Sequence, residues 1–115
     1  MFTIYHNPRC SKSRETLELL QQHSQQIEII EYLKSPPSVA ELQQILAKLG
    51  ISARQLIRNK EEEYQQLGLA DTSLTDAQLI AAMVAQPKLI ERPIVVCGNK
   101  AVIGRPVSNV LTLLP

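Results

Sequence analysis

Cys10 is the residue of this chain best placed to do chemistry. It stands in the stretch YHNPRCSKSRETLELL, residues 5–20, at the predicted start of a helix, and His6 precedes it. Three basic residues flank it: Arg9, Lys12 and Arg14. Free N–H groups and the positive end of a helix dipole favour an anion, and nearby cations stabilise a thiolate. We therefore expect Cys10 to be a nucleophile, with His6 as a hydrogen-bond donor across the loop; the alternative is a cysteine that only packs.

Ser13 follows Cys10 by three positions, and this Cys-x-x-Ser pattern is a single-thiol form of the dithiol redox motif. A covalently loaded Cys10 must then be released by an outside thiol, which indicates glutathione, glutaredoxin or thioredoxin as a second substrate. The other cysteine, Cys97, ends a predicted strand, and we interpret it as buried and inert. A Cys10–Cys97 disulfide is the less favoured alternative, because nothing in the chain indicates an oxidising compartment.

Arginines at three element boundaries could hold an oxyanion beside Cys10. They are Arg58, Arg92 and Arg105. A guanidinium group binds tetrahedral oxyanions through a planar fork of donors, so we predict an anion pocket; the alternative for each is a surface salt bridge. The chemistry is not that of the cysteine phosphatases, because their loop needs an arginine six positions after the nucleophile, where this chain has Thr16.

The elements that must position these residues begin with a βαβ unit. Phe2 to His6 reads as a strand, Ser11 to His23 as a helix, and Ile27 to Leu33 as a second strand. The second strand is continuously apolar, which predicts a buried strand parallel to the first, with a right-handed crossover.

The middle of the chain reads as helical. Capping boxes begin helices at Ser38, Ser52 and Thr75; the first ends at Gly50 and the third before Pro87, while the second carries Arg58. The acidic run KEEEY around Glu62 reads as solvated or core positions.

The last third changes character. Pro93 to Cys97 reads as a strand, Gly98-Asn99 as a hairpin turn, and Ala101 to Ile103 as the returning strand. Pro106 is expected at the first position of a closing helix that buries four apolar residues. They are Val107, Val110, Leu111 and Leu114.

This order of elements predicts an α/β chain of the thioredoxin-like fold. We expect one domain over residues 1–115, with a four-stranded mixed sheet and a helical insertion at about 38–87 between the N-terminal βαβ and C-terminal ββα units.

Composition is ordinary for a globular protein, with 44% hydrophobic and 20% charged residues and a formal net charge of +1. That balance indicates neither nucleic acid nor a membrane surface as a partner. No secretory signal or membrane-spanning run is visible, so we expect a cytoplasmic protein, with a monomer as the default for so small a chain.

The chain resembles the glutaredoxin-dependent arsenate reductase family over nearly its whole length. The resemblance is carried, in order, by YHNPRCSKSRETL, YLKSPP, ELQQILAKLGIS, LIRNKEEEYQQLGL, LIERPIVV and IGRP. It implies reduction of arsenate to arsenite in arsenic detoxification, with glutathione as co-substrate, glutaredoxin as electron donor, and no bound metal or organic cofactor.

The resemblance also implies residue roles. Cys10 matches the catalytic nucleophile, followed by Ser13 at the substrate site, and His6 matches a histidine that helps to activate the thiol. The oxyanion is implied to bind Arg58, Arg92 and Arg105. The Arg92–Pro93 peptide bond is expected to be cis, as is typical of this fold before the third strand.

One departure leaves alternatives open. Arsenic-resistance members continue with a charged tail beyond LTLLP, so we expect a short, tail-less member whose physiological substrate is open. The alternatives are a monothiol oxidoreductase linked to glutathione and glutaredoxin, and a non-enzymatic regulator that binds RNA polymerase. Ser13 argues against the regulator, because that branch usually carries a Cys-x-x-Cys pair.

Overall fold

The computed structural model describes residues 1–114, whose contacts group into two units. The first unit comprises Met1–Ser35 and the chain from Arg92 onward, and the second comprises Pro36–Glu91. No described helix has the length and apolar character needed to cross a membrane.

A four-stranded mixed sheet forms the centre of the first unit. Its strands are β1 (Phe2–His6), β2 (Ile27–Glu31), β3 (Ile94–Cys97) and β4 (Lys100–Ile103), in the spatial order β2-β1-β3-β4. β1 runs parallel to β2 and antiparallel to β3, and β3 and β4 form an antiparallel hairpin. The predicted thioredoxin-like arrangement and the hairpin at Gly98-Asn99 are thereby confirmed.

The prediction that the second strand is buried was wrong. β2 is an edge strand, and Ile29 at its centre is 46% exposed. Its apolar residues identify a strand, but they do not say how many neighbours the strand has. The strand also carries Glu28 and Glu31, and charges of this kind commonly keep an exposed edge from pairing with another chain.

The helix α1 (Ser11–His23) connects the two parallel strands. Leu20 is fully buried, and it joins a core cluster of five buried residues from the helix, the sheet and the closing segment. They are Phe2, Ile4, Leu20, Val95 and Val110. This core packs the C-terminal half of α1, through Leu20, against β1 and β3.

The closing segment is a 3-10 helix over Val107–Leu113, where an α-helix was predicted, and Pro106 lies just before its first residue. β-branched and short polar side chains disfavour an α-helix here, and Thr112 donates its hydroxyl to the Asn109 carbonyl three residues back at 2.8 Å. The tighter winding buries Val110 but leaves Leu111 48% exposed, so the predicted inner face was wrong at Leu111.

Four α-helices make up most of the second unit. They are α2 (Val39–Leu49), α3 (Ala53–Leu56), α4 (Glu62–Gln66) and α5 (Asp76–Ala85), followed by a 3-10 turn at Pro87–Leu89. The three predicted capping boxes are present, at Ser38, Ser52 and Thr75. Gly50 ends α2 in the left-handed conformation, with φ of 69°. Arg58 lies beyond the end of α3 rather than within it.

The sequence did not predict α4, which lies in the acidic run. Arg54 contacts both α4 and the residues that follow this helix. Its guanidinium donates to the Tyr64 hydroxyl at 3.0 Å, to the Leu69 carbonyl, and to the Asp71 carbonyl at 2.9 Å. This clamp orders residues that lack an apolar stripe of their own.

Candidate active site

Cys10 occupies the N-cap position of α1, as predicted. Its N–H donates to the Asn7 carbonyl at 3.0 Å, and its own carbonyl accepts the Arg14 N–H at 3.0 Å, which begins the helix. The first turn of α1 contains no acidic residue, so no carboxylate offsets the positive end of the helix dipole there. Cys10 is only 8% exposed, which limits access to small reagents or to a donor that fits the surface.

Arg105 binds the sulfur directly. Its Nη2 lies 3.3 Å from Cys10 Sγ, and its Nε donates to the Arg92 carbonyl at 2.7 Å. A guanidinium has five N–H donors in a fixed plane, so the hydrogen bond to the Arg92 carbonyl also orients the Nη2 donor that contacts the sulfur. The contact stabilises a negative charge on the sulfur and joins two segments that are 95 residues apart in the chain.

The backbone of Arg105 is also fixed. The Asn109 side-chain amide donates to the Ile103 carbonyl at 3.1 Å and to the Arg105 carbonyl at 3.2 Å. The closing 3-10 helix therefore fixes the backbone on both sides of Gly104 through Asn109. A short polar residue in that helix thus serves the site, although the sequence pattern gave no sign of it.

Arg92 lies two residues before β3, and the Arg92–Pro93 bond is cis, as predicted; the Arg105–Pro106 bond is cis as well. Two nitrogens of the Arg92 guanidinium, Nε and Nη1, are shielded from solvent. Both Arg92 and Arg105 thus belong to the first unit, together with Cys10.

Gly104 brings β4 close to the helix. A Cβ atom on it would lie 2.6 Å from Thr16 Oγ1 and 2.8 Å from Pro93 Cγ, which is closer than real side chains approach. Its N–H donates to the Pro93 carbonyl at 2.9 Å. Because Arg105 is the next residue, this close approach sets how near the guanidinium comes to the start of α1.

His6 and Ser13 form a buried pair behind the Cys10 turn. His6 Nδ1 lies 2.6 Å from Ser13 Oγ, and the same oxygen accepts the Asn7 N–H at 3.0 Å. Burial lowers the pKa of His6, with a smaller opposing effect from Glu31, so the imidazole is neutral near pH 7. The imidazole tautomer decides whether the Ser13 hydroxyl or Nδ1 donates the hydrogen in this contact.

Ser13 is fully buried, and these contacts occupy its hydroxyl. They indicate that Ser13 positions the loop that carries Cys10; its role in binding substrate stays a prediction. A hydrogen bond from His6 across the loop was expected, and His6 does form one. Its partner is Ser13, which the sequence did not identify.

The local cations predicted to surround Cys10 act differently from one another. Arg14 donates from Nη1 to the Pro8 carbonyl at 3.0 Å and so holds the turn. Lys12 is exposed and lies 3.8 Å from Glu15. Arg9 is exposed, and its N–H donates to Asn7 Oδ1 at 3.0 Å.

Arg58 belongs to the second unit. Its N–H donates to the Leu89 carbonyl at 2.7 Å, beside the bridge that pairs Ile57 with Ile90. Its guanidinium lies 3.4 Å from Glu61 Oε1, with both side chains about three-quarters buried. That the Arg58 guanidinium helps to bind an oxyanion beside Cys10 remains a prediction.

Cys97 and Cys10 are both free thiols, so the disulfide alternative is not adopted. β3 runs antiparallel to β1, with Tyr5 opposite Ile94 and Thr3 opposite Val96, so Cys97 lies at the opposite end of the sheet from the Cys10 loop. Cys97 lies four positions along the chain from Pro93, or about 13 Å of strand. Cys97 is half-buried rather than fully buried.

Comparisons with known proteins agree over nearly the whole chain. A profile of the ArsC family matches residues 5–113. The arsenate reductase of Haemophilus influenzae is 52% identical over 112 residues, covering 96% of this chain and 97% of that protein. YfgD, an uncharacterized protein of Escherichia coli K12, is 54% identical and covers 96% of this chain and 94% of its own length.

The solved structures give the same result. An arsenate reductase from Vibrio cholerae matches with a TM-score of 0.95 and 51% identity, covering 98% of this chain and 97% of that one.

Proposed function

The chain belongs to the ArsC family, and from that membership we propose that it reduces arsenate to arsenite through a covalent adduct on Cys10. The observation that carries the proposal is the contact of Arg105 Nη2 with Cys10 Sγ at 3.3 Å. A guanidinium in this place favours the thiolate and offers further N–H donors to an oxyanion that approaches the sulfur. The relatives named arsenate reductase supply the identity of the oxyanion.

In the first step the Cys10 thiolate attacks the arsenic of dihydrogen arsenate. A sulfur–arsenic bond forms and an arsenic–oxygen bond breaks, and the oxygen leaves as water with both protons of the substrate. Arg105 and Arg92 counter the two negative charges of the adduct, and Arg58 is assigned to the same task on the resemblance. His6 and Ser13 hold the turn in place while the bond forms.

In the second step a glutathione thiol attacks the Cys10 sulfur. The sulfur–arsenic bond breaks, its electron pair stays on arsenic, and As(V) becomes As(III) as arsenite takes up the thiol proton. Cys10 is left as a mixed disulfide with glutathione. Glutaredoxin then exchanges its own thiol for Cys10 and returns the free enzyme.

The position of Cys97 supports an external thiol in this role, because Cys97 lies at the other end of the sheet, about 13 Å from the Arg92–Pro93 turn. Two thiols supply both electrons, so the reaction needs no bound metal or organic cofactor. We assign the protein to the cytoplasm, where glutathione is kept reduced, and treat it as a monomer.

The test is a single turnover with arsenate, glutathione and glutaredoxin. We expect the parent chain and Cys97→Ser to form arsenite, and Cys10→Ser to form none and no covalent adduct. A Cys10→Ser protein that keeps the full rate would overturn the mechanism. Turnover of a glutathionylated peptide without any turnover of arsenate would assign the chain to thiol transfer instead.

A further inference from the structure

An open cleft lies beside the Cys10 turn, on the side of β2. Residues 6–9 line one wall, and Glu31, Leu33 and Lys34 line the other. The cleft has a volume of about 230 Å³. That volume is below the range of about 300–1,000 Å³ that encloses a drug-sized ligand, so the cleft can hold part of a small molecule while the rest stays in solvent.

The topology of the sheet creates this cleft. β1 and β2 are parallel, and His6 pairs with Glu31, so both strands end at the same level of the sheet. The chain after β1 turns into α1, and the chain after β2 turns through residues 32–35. The carboxyl ends of parallel strands are where open α/β sheets commonly bind ligands, because the departing loops leave a crevice.

The charges in the cleft form a specific pattern. Arg9 and Lys34 are cationic and Glu31 is anionic, while Pro8 and Leu33 add apolar surface. Lys34 and Glu31 lie 3.7 Å apart, with side chains 80% and 43% exposed. An exposed pair of this kind is weak, so both groups remain able to bind an incoming charge.

We propose that this cleft binds the thiol co-substrate, a small peptidic thiol of the glutathione class. Such a thiol carries two carboxylates and one ammonium group, which complement the two cations and one anion of the cleft. This inference rests on the proposed function, because it supplies the donor of the second step.

The cleft is distinct from the arginine side of the site. Its lining includes none of Cys10, Arg92 and Arg105. Pro8 and Arg9, which directly precede Cys10, line the cleft, while Arg105 contacts the sulfur itself. The oxyanion and the thiol donor therefore approach Cys10 over different residues, which lets both be bound together.

The test does not require arsenate. Oxidised glutathione reacts with the Cys10 thiolate to give the Cys10–glutathione disulfide and one glutathione thiolate, so bonds and electrons balance. Its rate is compared with that of hydroxyethyl disulfide, which is neutral and lacks the peptide. Mass spectrometry with peptide mapping assigns each adduct to Cys10 or to Cys97.

Lys34→Glu is the informative variant, because its side chain is 80% exposed and the change leaves the core untouched. At about 0.15 M salt, where exposed charges are screened beyond about 8 Å, we expect the rate with oxidised glutathione to fall about three- to fivefold. The rate with hydroxyethyl disulfide should stay within about twofold.

Lys12→Glu is the matched control, since Lys12 is exposed and closer in sequence to Cys10 but does not line the cleft. We expect it to change the ratio of the two rates by less than about twofold. An equal fall of the ratio in both variants would mean a general electrostatic effect and would overturn the site, as would an unchanged ratio in Lys34→Glu.

These outcomes are separable from failure of the proposed function. A chain that reduces no arsenate but shows the selective loss in Lys34→Glu keeps the thiol site. A chain that reduces arsenate while Lys34→Glu leaves the ratio unchanged keeps the function and loses the site.

Discussion

At the scale of single residues, the site depends on a few hydrogen bonds between side chains and backbone. Arg105 donates hydrogen bonds to both the Arg92 carbonyl and the Cys10 sulfur, and His6 is hydrogen-bonded to Ser13. Each of these contacts has one replaceable side chain, so each can be tested by one substitution with a neighbouring control.

Arg105→Ala should slow the alkylation of Cys10 by iodoacetamide at pH 7 by about tenfold, because a hydrogen bond to a charged group contributes about 1.5–3 kcal/mol. Arg105→Lys should fall between the two, since an ammonium lacks the planar fork that meets both the Arg92 carbonyl and the sulfur. Peptide mapping separates Cys10 from Cys97. Lys100→Ala, in the distant hairpin, should leave the rate unchanged; an unchanged rate in Arg105→Ala would refute the role of the contact.

Ser13→Ala should lower the free energy of unfolding by about 1–3 kcal/mol, because it leaves His6 Nδ1 and the buried Asn7 N–H without their shared partner. Urea denaturation measures the change. Ser11→Ala, at an exposed position of the same helix, should stay within about 0.5 kcal/mol. A raised KM for arsenate with unchanged stability would instead support the original prediction that Ser13 binds substrate.

At the scale of elements, the close approach of β4 to α1 brings Arg105 to the sulfur. Gly104 makes that approach, with Thr16 and Pro93 occupying the space where its Cβ would lie. Thr16 cannot turn away at no cost, because its hydroxyl donates to the Lys12 carbonyl at 2.7 Å within α1.

Gly104→Ala should therefore destabilise the protein by more than about 2 kcal/mol and slow the alkylation of Cys10, since relief of the overlap moves β4 away from α1. Gly98→Ala provides the control: its φ of 59° makes alanine strained, but nothing lies within 4 Å of the added atom. That change should cost about 1–2 kcal/mol and leave the alkylation rate alone. Thermal or urea unfolding gives the stabilities, and equal effects of the two substitutions would contradict the role assigned to Gly104.

Elements with strong local signals could be predicted from the sequence. The helix starts at Ser38, Ser52 and Thr75 depend on residues three positions apart, so the pattern alone predicts them. α4 was missed because long-range contacts from Arg54 order it, and the acidic run has no apolar period. The edge position of β2 was missed because apolar content does not specify neighbours.

The same division applies to the site. The position of Cys10 at a helix start follows from local pattern, and the resemblance implied a role for Arg105 but not its bond to the Arg92 carbonyl. The pairing of His6 with Ser13 depends on how the turn between β1 and α1 closes, whereas the cleft lined by Glu31 and Lys34 needs the register of β1 with β2. The register depends on how the two strands pair in the folded chain, so the residue pattern within either strand does not predict it.

At the scale of the whole molecule, titration of a few groups sets the response of stability to pH. Burial lowers the pKa of His6 below its ordinary value of 6.5. Hydrogen bonds from Ser38 and from Ser73 likewise lower the pKa of Glu41 and of Asp71. In each case the unfolded chain binds protons more readily than the folded one, so acidification favours unfolding.

The His6 contribution is fully present above pH 6.5 and is lost as the pH falls through the lower folded-state pKa. We expect the free energy of unfolding, measured in urea from pH 8 to pH 5, to decline below pH 6.5. His6→Gln should be less stable throughout but lose most of that decline, whereas His23→Gln, at the exposed end of α1, should retain it. A decline of the same size in His6→Gln would assign it to another group.

The 95 residues between Cys10 and Arg105 also matter while the chain is being made. On the ribosome, the sulfur is synthesised 95 residues before the guanidinium that contacts it, so this contact cannot form until the later segment has been made. The Cys10 sulfur therefore spends most of translation without its arginine partner.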